Sequence, residues 1–353
     1  MPLDRIQLED FRNHAATTLD GTAQFNLLVG ENGAGKTNVL EALSLLAPGR
    51  GLRRAALSEM ARGGEGGFAV SARLGDHIAL GSAVRPAQPG RRVVHANGAE
   101  IPAVRLGEWL SLAWLTPAMD RLFADSAGGR RRFLDRLALA REPGHAAIAA
   151  RYETALRERN RLLADAAEPD PLWLDGIEAQ LAEAGSALAA GRRRLIEALD
   201  AALSTTPDRP FARPSLAYSS ETPEDFAGAL RTGRRRDRAA GRTLTGPHRD
   251  DLAVTLAAKR RPAAESSTGE QKAMLIAIVL AHAGLGEDSV PRVLLLDEVA
   301  AHLDPLRRAA LFERLRDGPS QVWLTGTETA PFAEILREAA VWEVRDGAVA
   351  RLS

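Results

Sequence analysis

The stretch Gly30-Glu-Asn-Gly-Ala-Gly-Lys-Thr-Asn38 matches the pattern G-x-x-x-x-G-K-[ST] of a phosphate-binding loop in full. The apolar run before it, residues 25–29, predicts a buried strand, and residues 38–46 after it predict a helix. Backbone N–H groups and a helix N-terminus then attract phosphate at this turn. The expected nucleotide contacts are Gly30, Glu31, Asn32, Gly33, Ala34, Gly35, Lys36, Thr37 and Asn38.

Two of these side chains have specific expected roles. Lys36 would reach the β- and γ-phosphates, and the Thr37 hydroxyl would ligate Mg²⁺.

Composition limits the possible partners and compartments. The chain has 353 residues, with 46 basic and 46 acidic side chains, so a nucleic-acid site must be a local basic patch. It has no cysteine, which excludes disulfides, thiol catalysis and thiolate metal sites. Without a membrane-length apolar run or a signal-peptide pattern, we expect a soluble cytoplasmic protein with no membrane partner.

The pattern of residues changes along the chain. Strand-like runs fill residues 66–106, and residues 92–101 predict a hairpin that turns at Asn97-Gly98. From about residue 111 to 240 the chain is rich in Ala, Leu and Arg and reads as helical. Helices at 145–166 and 171–204, separated by a Pro-Asp-Pro breaker, predict an antiparallel hairpin. Residues 231–242 are basic, and we expect them to be mobile.

A second motif, which is acidic, complements the phosphate-binding loop. Residues 293–296 predict a buried strand that ends in Asp297 and Glu298, the Walker B pattern. Asp297 would hold Mg²⁺, and Glu298 would orient and polarise the attacking water. An aspartate followed by a glutamate indicates ATP hydrolysis with the base supplied by the chain itself, as in ABC-type ATPases.

The segment before Walker B resembles an ABC signature motif. Ser267 and Glu270 form the S-x-x-E capping box of an apolar helix. In the functional interpretation, Ser267 and Gly269 grip the γ-phosphate of a second subunit, with Glu270 where many signatures carry Gln. After Walker B, Ala301-His-Leu-Asp304 has the spacing of a D-loop, in which Asp304 would meet the opposite subunit.

Two further ABC positions have weaker candidates. Thr327 follows the predicted strand at 321–324, where many ABC ATPases carry a switch histidine, and is a candidate phosphate sensor. Gln88 lies in a Pro/Gly loop and is a poor candidate for a Q-loop glutamine.

Together these motifs predict an α/β fold. We expect an ABC-type ATPase head with a mixed or parallel sheet core and an antiparallel β subdomain, interrupted by an inserted α-helical arm lobe. The head would comprise residues 1–112, with Walker A, and residues 240–353, with the signature, Walker B and D-loop. The arm lobe would span residues 113–239.

Several stretches resemble the RecF family of bacterial recombination-repair ATPases, relatives of the SMC proteins. They are LEDFRN at 8–13, the loop at 30–38, RRRFLD at 130–135, TGPHRDD at 245–251 and LLLDEVAAHLDPLRRAAL at 294–311. The resemblance covers most of the chain, and the arm between about 145 and 240 matches in character only.

The resemblance implies a function as well as a fold. It implies ATP and Mg²⁺ as cofactors, nucleotide contacts from Arg12 and Asn13, ATP-dependent homodimerisation and a weak, DNA-stimulated ATPase. It also implies binding to double-stranded or gapped DNA, and work with RecR, and indirectly RecO, in loading RecA at single-strand gaps.

DNA contacts are expected from arginine clusters, because guanidinium groups suit phosphate oxygens. The candidates, which the sequence does not rank, are Arg53, Arg54, Arg130, Arg131, Arg234 and Arg235.

Other functions stay open at this point. One alternative is the ATPase subunit of an ABC transporter, although a helical insert and the missing Q-loop count against it. A second is an SMC-like DNA clamp that binds ATP without hydrolysing it, against which Glu298 argues. A GTP-binding switch would need an NKxD motif, and no Asn in this chain precedes a Lys.

Overall fold

Residues 3–64, 66–75, 77–165, 167, 169–285, 290–300 and 303–352 are described by the computed structural model. They divide into two units, each with its own hydrophobic core. Unit 1 comprises Met1–Asp120 and Val279–Ser353, and unit 2 comprises Arg121–Ile278, which interrupts unit 1 in the sequence.

The strands of the described residues are, in chain order, β1 (Arg5–Phe11), β2 (His14–Asp20), β3 (Phe25–Val29), β4 (Phe68–Leu74), β5 (Ile78–Val84), β6 (Arg92–Ala96), β7 (Ala99–Ile101), β8 (Ser111–Leu115), β9 (Pro214–Ser219), β10 (Asp251–Leu256), β11 (Arg261–Pro262), β12 (Arg292–Leu296), β13 (Gln321–Gly326), β14 (Ala339–Arg345) and β15 (Ala348–Arg351).

The α-helices of the described residues are α1 (Lys36–Ser44), α2 (Leu57–Met60), α3 (Ala127–Arg141), α4 (His145–Ala164), α5 (Pro171–Ser204), α6 (Phe226–Thr232), α7 (Arg234–Ala239), α8 (Thr268–Gly284) and α9 (Pro305–Asp317).

A mostly parallel sheet forms the centre of unit 1, in the order β15-β14-β3-β13-β12-β8. Its central strands are mostly apolar and are buried along their whole length, as expected for parallel strands covered on both faces. Val29 of β3 pairs with Gly326 of β13, and Leu296 of β12 pairs with Leu324. Strand β13 therefore lies between the strand that precedes the phosphate loop and the strand that carries Walker B.

An antiparallel sheet, ordered β2-β1-β4-β5-β6-β7, makes the other layer of unit 1. The predicted hairpin at 92–101 is confirmed, because Asn97 and Gly98, with φ of 50° and 81°, link paired strands β6 and β7. Val39 and Leu43 of α1 lie in one buried core with Phe11 of β1 and with side chains of β4. The antiparallel subdomain and the phosphate-loop helix thus pack as one body.

The predicted helical hairpin is confirmed in unit 2. Helices α4 and α5 run antiparallel, since Arg151 pairs with Glu183 while Arg159, further along α4, pairs with Glu178. The breaker ends at Asp170, whose carboxylate accepts a hydrogen bond from Leu172 N and caps α5. Glu168, in the same stretch, lies outside the described residues.

The expected domain boundaries at 113 and 239 need correction. Strand β8, which contains residue 113, pairs with β12 and so belongs to the parallel sheet of unit 1. Residues 240–278 belong to unit 2, because β10 pairs with both β9 and β11 in a three-stranded antiparallel sheet. The inserted lobe is therefore helical with a small sheet of its own.

The expectation of a mobile basic segment at 231–242 is wrong, because the segment contains helix α7. Arg234 Nη2 lies 2.5 Å from Asp175 Oδ1 and 2.6 Å from Glu178 Oε2. Asp237, which is buried, accepts a hydrogen bond from the fully buried Arg159 at 2.8 Å. These ion pairs fix the segment against the helical hairpin.

Candidate nucleotide site

The phosphate loop turns between β3 and α1 as the sequence predicts. Gly35 caps α1 with a φ of 119°, and a Cβ there would lie 2.8 Å from both Asn13 Oδ1 and His14 Nε2. A Cβ at Gly30 would lie 2.2 Å from Val344 O. Only glycine fits these two positions, because the side chains of Asn13 and His14 and the backbone of Val344 approach the loop backbone so closely.

The Lys36 ammonium lies inside the loop. Its Nζ donates to Gly30 O at 2.6 Å and to Glu31 O at 2.8 Å, and the residue is 4% exposed. Burial lowers the pKa of Lys36, whereas the charges of Glu298 and Asp297 raise it. The cation is thus held where phosphate oxygens can replace the loop carbonyls.

Walker A and Walker B meet through a hydrogen bond. Thr37 Oγ1 donates to Asp297 Oδ1 at 2.9 Å, although the two residues are 260 positions apart. Asp297 follows β12 directly, and α1 follows the loop after β3, so the strand order brings the two residues to the same edge of the sheet. Burial raises the pKa of Asp297, while hydrogen bonds from Thr325 and Thr37 lower it.

The predicted catalytic glutamate has an unusual backbone. Glu298 has a φ of 53°, in the left-handed region, which costs a non-glycine residue about 1–2 kcal/mol. Its N–H donates to Thr325 Oγ1 at 2.9 Å. A strained conformation of this kind persists when neighbouring contacts fix it, and such residues cluster at functional sites.

Arg12 and Asn13, the two further predicted nucleotide contacts, lie beside the loop, and their side chains bind protein atoms. Arg12 donates from Nε and Nη2 to the Glu41 carboxylate, at 2.8 Å each, and from Nη1 to Glu59 O at 2.7 Å. Asn13 Nδ2 donates to Ala34 O at 2.9 Å. These bonds tie the β1–β2 turn to the loop and to α1, and direct nucleotide contacts from either side chain remain predictions.

Arg53, predicted to bind DNA, completes this cluster. Its Nη1 donates to Glu41 Oε2 at 2.8 Å and to Asn38 Oδ1 at 2.7 Å. Asn38 Nδ2 in turn donates to Asn13 Oδ1 at 2.7 Å. The side chain of Asn38, a predicted nucleotide-binding residue, is therefore hydrogen-bonded to both Arg53 and Asn13.

The oxygens at the Walker B end of the site fit a magnesium ion. The Thr37 hydroxyl and the Asp297 carboxylate are hard ligands that already lie 2.9 Å apart. Among the described residues no group of three or more His, Asp or Glu side chains forms a metal site. Two protein oxygens suit Mg²⁺, which usually keeps several waters and binds substrate phosphates.

The predicted capping box at the signature motif is confirmed. Ser267 N donates to Glu270 Oε2 at 2.9 Å, and Glu270 N donates to Ser267 Oγ at 3.4 Å, at the start of α8. The Glu270 carboxylate also pairs with Lys259 Nζ, at 2.6 Å. The hydrogen bonds from Lys259 and Ser267 lower the pKa of Glu270 to about 2. Ser267 and Gly269 are both exposed.

The D-loop is described only in part. Ala301 and His302 lie outside the described residues. Asp304 is exposed and caps α9, because its Oδ1 accepts a hydrogen bond from Arg307 N at 2.9 Å. Its contact with a second subunit remains a prediction.

The candidates for the switch and Q-loop positions lie after β13 and between β5 and β6. Gly326 ends β13 directly before Thr327, and a Cβ at Gly326 would lie 2.4 Å from Phe332 Cε2. Thr327 is exposed, whereas Thr325 is buried and bonds to Asp297. Gln88 lies in the turn between β5 and β6, where its N–H donates to Arg85 O.

The arginine clusters differ in how far their guanidinium groups are engaged. Arg130 forms a bidentate pair with Asp251 at 2.7 and 2.9 Å, and Arg131 Nη1 donates to Asp250 O at 2.8 Å. Arg54 and Arg235 are exposed. No described residue forms an ion pair with Arg235, which makes it a better candidate for DNA phosphate than its paired neighbour Arg234.

Two contributions were missed at the sequence level. Glu41 is fully buried and organises Arg12 and Arg53. A lone charge inside the apolar run 38–46 was the available signal. The second is Thr325, whose bond to Asp297 no local sequence pattern indicates.

Within the described residues, no helix combines the length and apolar character needed to cross a membrane.

Comparison with known proteins gives consistent results at the level of family and fold. The family described as "RecF/RecN/SMC N terminal domain" matches residues 2–349. The chain is 48% identical to the DNA replication and repair protein RecF of Mesorhizobium japonicum, with 98% of this chain and 97% of the relative covered. It is 44% identical to the RecF of Brucella suis, with 97% and 94% covered.

Solved structures show the same fold. A structure of the recombination mediator protein RecF-ATPrS in the RecFOR pathway aligns with a TM-score of 0.86 at 22% identity, covering 100% of this chain and 99% of that one. The Smc head domain of Pyrococcus furiosus aligns with a TM-score of 0.56 at 19% identity, covering 100% and 97%. The predicted ABC-type head fold is confirmed, and the chain belongs to the RecF family of DNA replication and repair proteins.

Proposed function

We propose that this chain is a DNA-binding ATPase of recombinational repair at single-strand gaps and stalled replication. It forms a homodimer with ATP, binds double-stranded or gapped DNA, and contacts RecR, acting with RecO to load RecA. Membership of the RecF family and the names of the relatives support this role. The aligned RecF-ATPrS structure, described as a recombination mediator of the RecFOR pathway, also supports it.

The observation that carries the proposal is the contact between Thr37 and Asp297. The two hydrogen-bonded oxygens come from the loop helix and from the end of β12, and Lys36 lies in the same loop. If the glycine-rich turn matched the motif only by chance, we would not expect it to contact a buried aspartate at the end of a strand. The meeting of the two motifs therefore supports ATP as the ligand.

Each side chain then has a distinct task in hydrolysis. Lys36 exchanges its hydrogen bonds to the loop carbonyls for hydrogen bonds to phosphate oxygens. Its positive charge then stabilises the negative charge of the triphosphate. Thr37 and Asp297 would hold Mg²⁺, which would neutralise charge on the triphosphate. Glu298 accepts the proton of the attacking water, and its backbone bond to Thr325 sets the position of this base.

The exposure of the signature motif supports the proposed homodimer. Ser267 and Gly269 are exposed at the N-terminus of α8, where N–H groups and the helix dipole attract an anion. In the ABC arrangement that anion is the γ-phosphate of a partner subunit. ADP lacks the γ-phosphate, so we expect it to leave the chains mostly monomeric.

ATP hydrolysis with and without gapped DNA tests the proposed function. We expect slow turnover by the purified protein, faster turnover when gapped DNA is added, and no turnover by Lys36→Met. Turnover that responds to membrane lipids and not to DNA would contradict the DNA-repair role. The absence of ATP binding in the wild type would contradict the proposed function altogether.

A further inference from the structure

Thr325 links the two acidic residues of Walker B. It lies one position before the end of β13, is 1% exposed, and neighbours the end of β12 through the parallel pairing of Leu324 with Leu296. Its Oγ1 is 2.8 Å from Asp297 Oδ1 and 2.9 Å from Glu298 N. One hydroxyl thus contacts the side chain of one acid and the backbone of the next.

The direction of both hydrogen bonds is fixed by chemistry. A backbone N–H only donates, so the Thr325 oxygen must accept the bond from Glu298. The single hydroxyl proton is then available for Asp297 Oδ1, which also accepts from Thr37 at 2.9 Å. Serine can reproduce this pattern, whereas valine, which has nearly the same shape, provides neither bond.

The bond to Glu298 acts on a backbone that is otherwise unfavourable. The φ of 53° at Glu298 decides where its Cβ, and therefore its carboxylate, points. Without an acceptor for the Glu298 N–H, the partly buried donor is left unsatisfied and the residue can relax to a negative φ. The carboxylate would then leave the position in which it accepts a proton from water.

We propose that Thr325 is a positioning residue for hydrolysis, which holds Glu298 in its left-handed conformation. The inference rests on the proposed ATPase function. A residue that served only to fill space in the core would tolerate valine, because valine is also β-branched and has nearly the same shape as the 1% exposed threonine. Thr325 instead acts through the residues that it contacts.

The test compares Thr325→Val and Thr325→Ser with the wild type, using ATP hydrolysis and ADP binding. We expect Thr325→Val to lower kcat by about 10- to 100-fold, because small displacements of catalytic groups have effects of this size. KM for ATP and the affinity for ADP should change by no more than about threefold, since Lys36 and the loop are untouched. Thr325→Ser should recover most of the lost kcat.

A double-variant cycle separates positioning from a structural role. In a Glu298→Gln background the base is already absent, so adding Thr325→Val should cause little further loss of kcat. If Thr325→Val does not fold, Thr325→Ala takes its place in the same cycle. Additive losses in the cycle, or wild-type kcat in a folded Thr325→Val, would overturn the inference while leaving the ATPase proposal intact. A wild type without ATP hydrolysis would overturn both.

Discussion

Arg12 and Glu41 form a bidentate ion pair beside the phosphate loop, with both N···O distances at 2.8 Å. Glu41 is fully buried on α1, and Arg53 reaches the same carboxylate from the other side at 2.8 Å. One buried anion therefore joins the β1–β2 turn, the loop helix and the chain that follows it. The Glu41 carboxylate, as well as the glycines of the phosphate loop, therefore fixes the position of that loop.

Replacing Glu41 should destabilise the protein and weaken ATP binding. Glu41→Ala leaves two guanidinium groups without their anion, and we expect the free energy of unfolding to fall by about 2–4 kcal/mol. The loss should be smaller than for a fully buried pair, since Arg53 is 41% exposed and partly screened by solvent. Denaturant unfolding and ATP titration measure the two effects.

Glu183→Ala provides the matched control for Glu41→Ala. Its ion pair with Arg151 has a similar distance, 3.0 Å, but both side chains are well exposed. The free energy of unfolding should change by about 0.5 kcal/mol or less. Equal losses of the free energy of unfolding in the two variants would show that the burial of Glu41 does not increase its contribution to stability.

The capping box of the signature helix should depend on pH. The pKa of Glu270 is lowered from 4.5 to about 2 in the folded chain, so its stabilising effect is complete above pH 4.5. The effect is lost as the pH falls from 4.5 toward 2, because the carboxylate is then protonated. The difference in Tm between the wild type and Glu270→Gln should therefore shrink over this range.

Lys259→Gln is the control for the pH dependence. It removes the hydrogen bond that contributes most to the lowered pKa of Glu270, so the loss should still begin near pH 4.5 but be smaller and be complete at a higher pH. Thermal unfolding at several pH values measures it. A Tm difference that stays constant between pH 3 and 6 would contradict the assignment.

The fold followed from the sequence where local patterns decide it. The loop Gly30–Asn38 and the turn at Asn97-Gly98 depend on backbone conformations that glycine and asparagine adopt easily, so the residues themselves reveal them. The helical hairpin followed from its long apolar period. Such features need no knowledge of distant partners.

The sequence was less informative where distant pairing decides the structure. Strands β8 and β9 are short segments inside a stretch that otherwise favours helix, and their partners, β12 and β10, lie far along the chain. The basic segment around α7 was expected to be mobile because its buried partners, Glu178 and Arg159, are not recognisable as buried from the sequence. The link from Thr325 to Asp297 likewise depends on strand order.

The arginine clusters can be tested by comparing two neighbours. Arg235 is exposed, whereas Arg234 is paired with Asp175 and Glu178. Arg235→Ala should weaken binding to gapped DNA and reduce the slope of log K against log salt by about one, without changing Tm. Arg234→Ala should instead lower Tm. Fluorescence anisotropy over a series of salt concentrations gives affinity and slope, and wild-type values of both in Arg235→Ala would show that Arg235 is not a phosphate contact.

The proposed dimer depends on the signature motif. Ser267→Arg places a bulky cation at the exposed N-terminus of α8 and should prevent ATP-dependent dimerisation while ATP binding persists. Sedimentation velocity with ATP, with ADP and without nucleotide measures it, and we expect a wild-type dimer only with ATP. Ser204→Arg, the same change at an exposed residue at the end of α5, should still dimerise. A wild-type monomer in ATP would contradict the proposed dimer.

Binding and hydrolysis of ATP, measured on the same preparations, test most directly whether Lys36, Asp297 and Glu298 form one ATPase site. Lys36→Met should lose ATP binding, because the cation inside the loop is gone. Glu298→Gln should bind ATP with wild-type affinity but turn over about 10²- to 10⁴-fold more slowly, since the water loses its base. Wild-type turnover by Glu298→Gln, or undiminished ATP binding by Lys36→Met, would contradict this assignment.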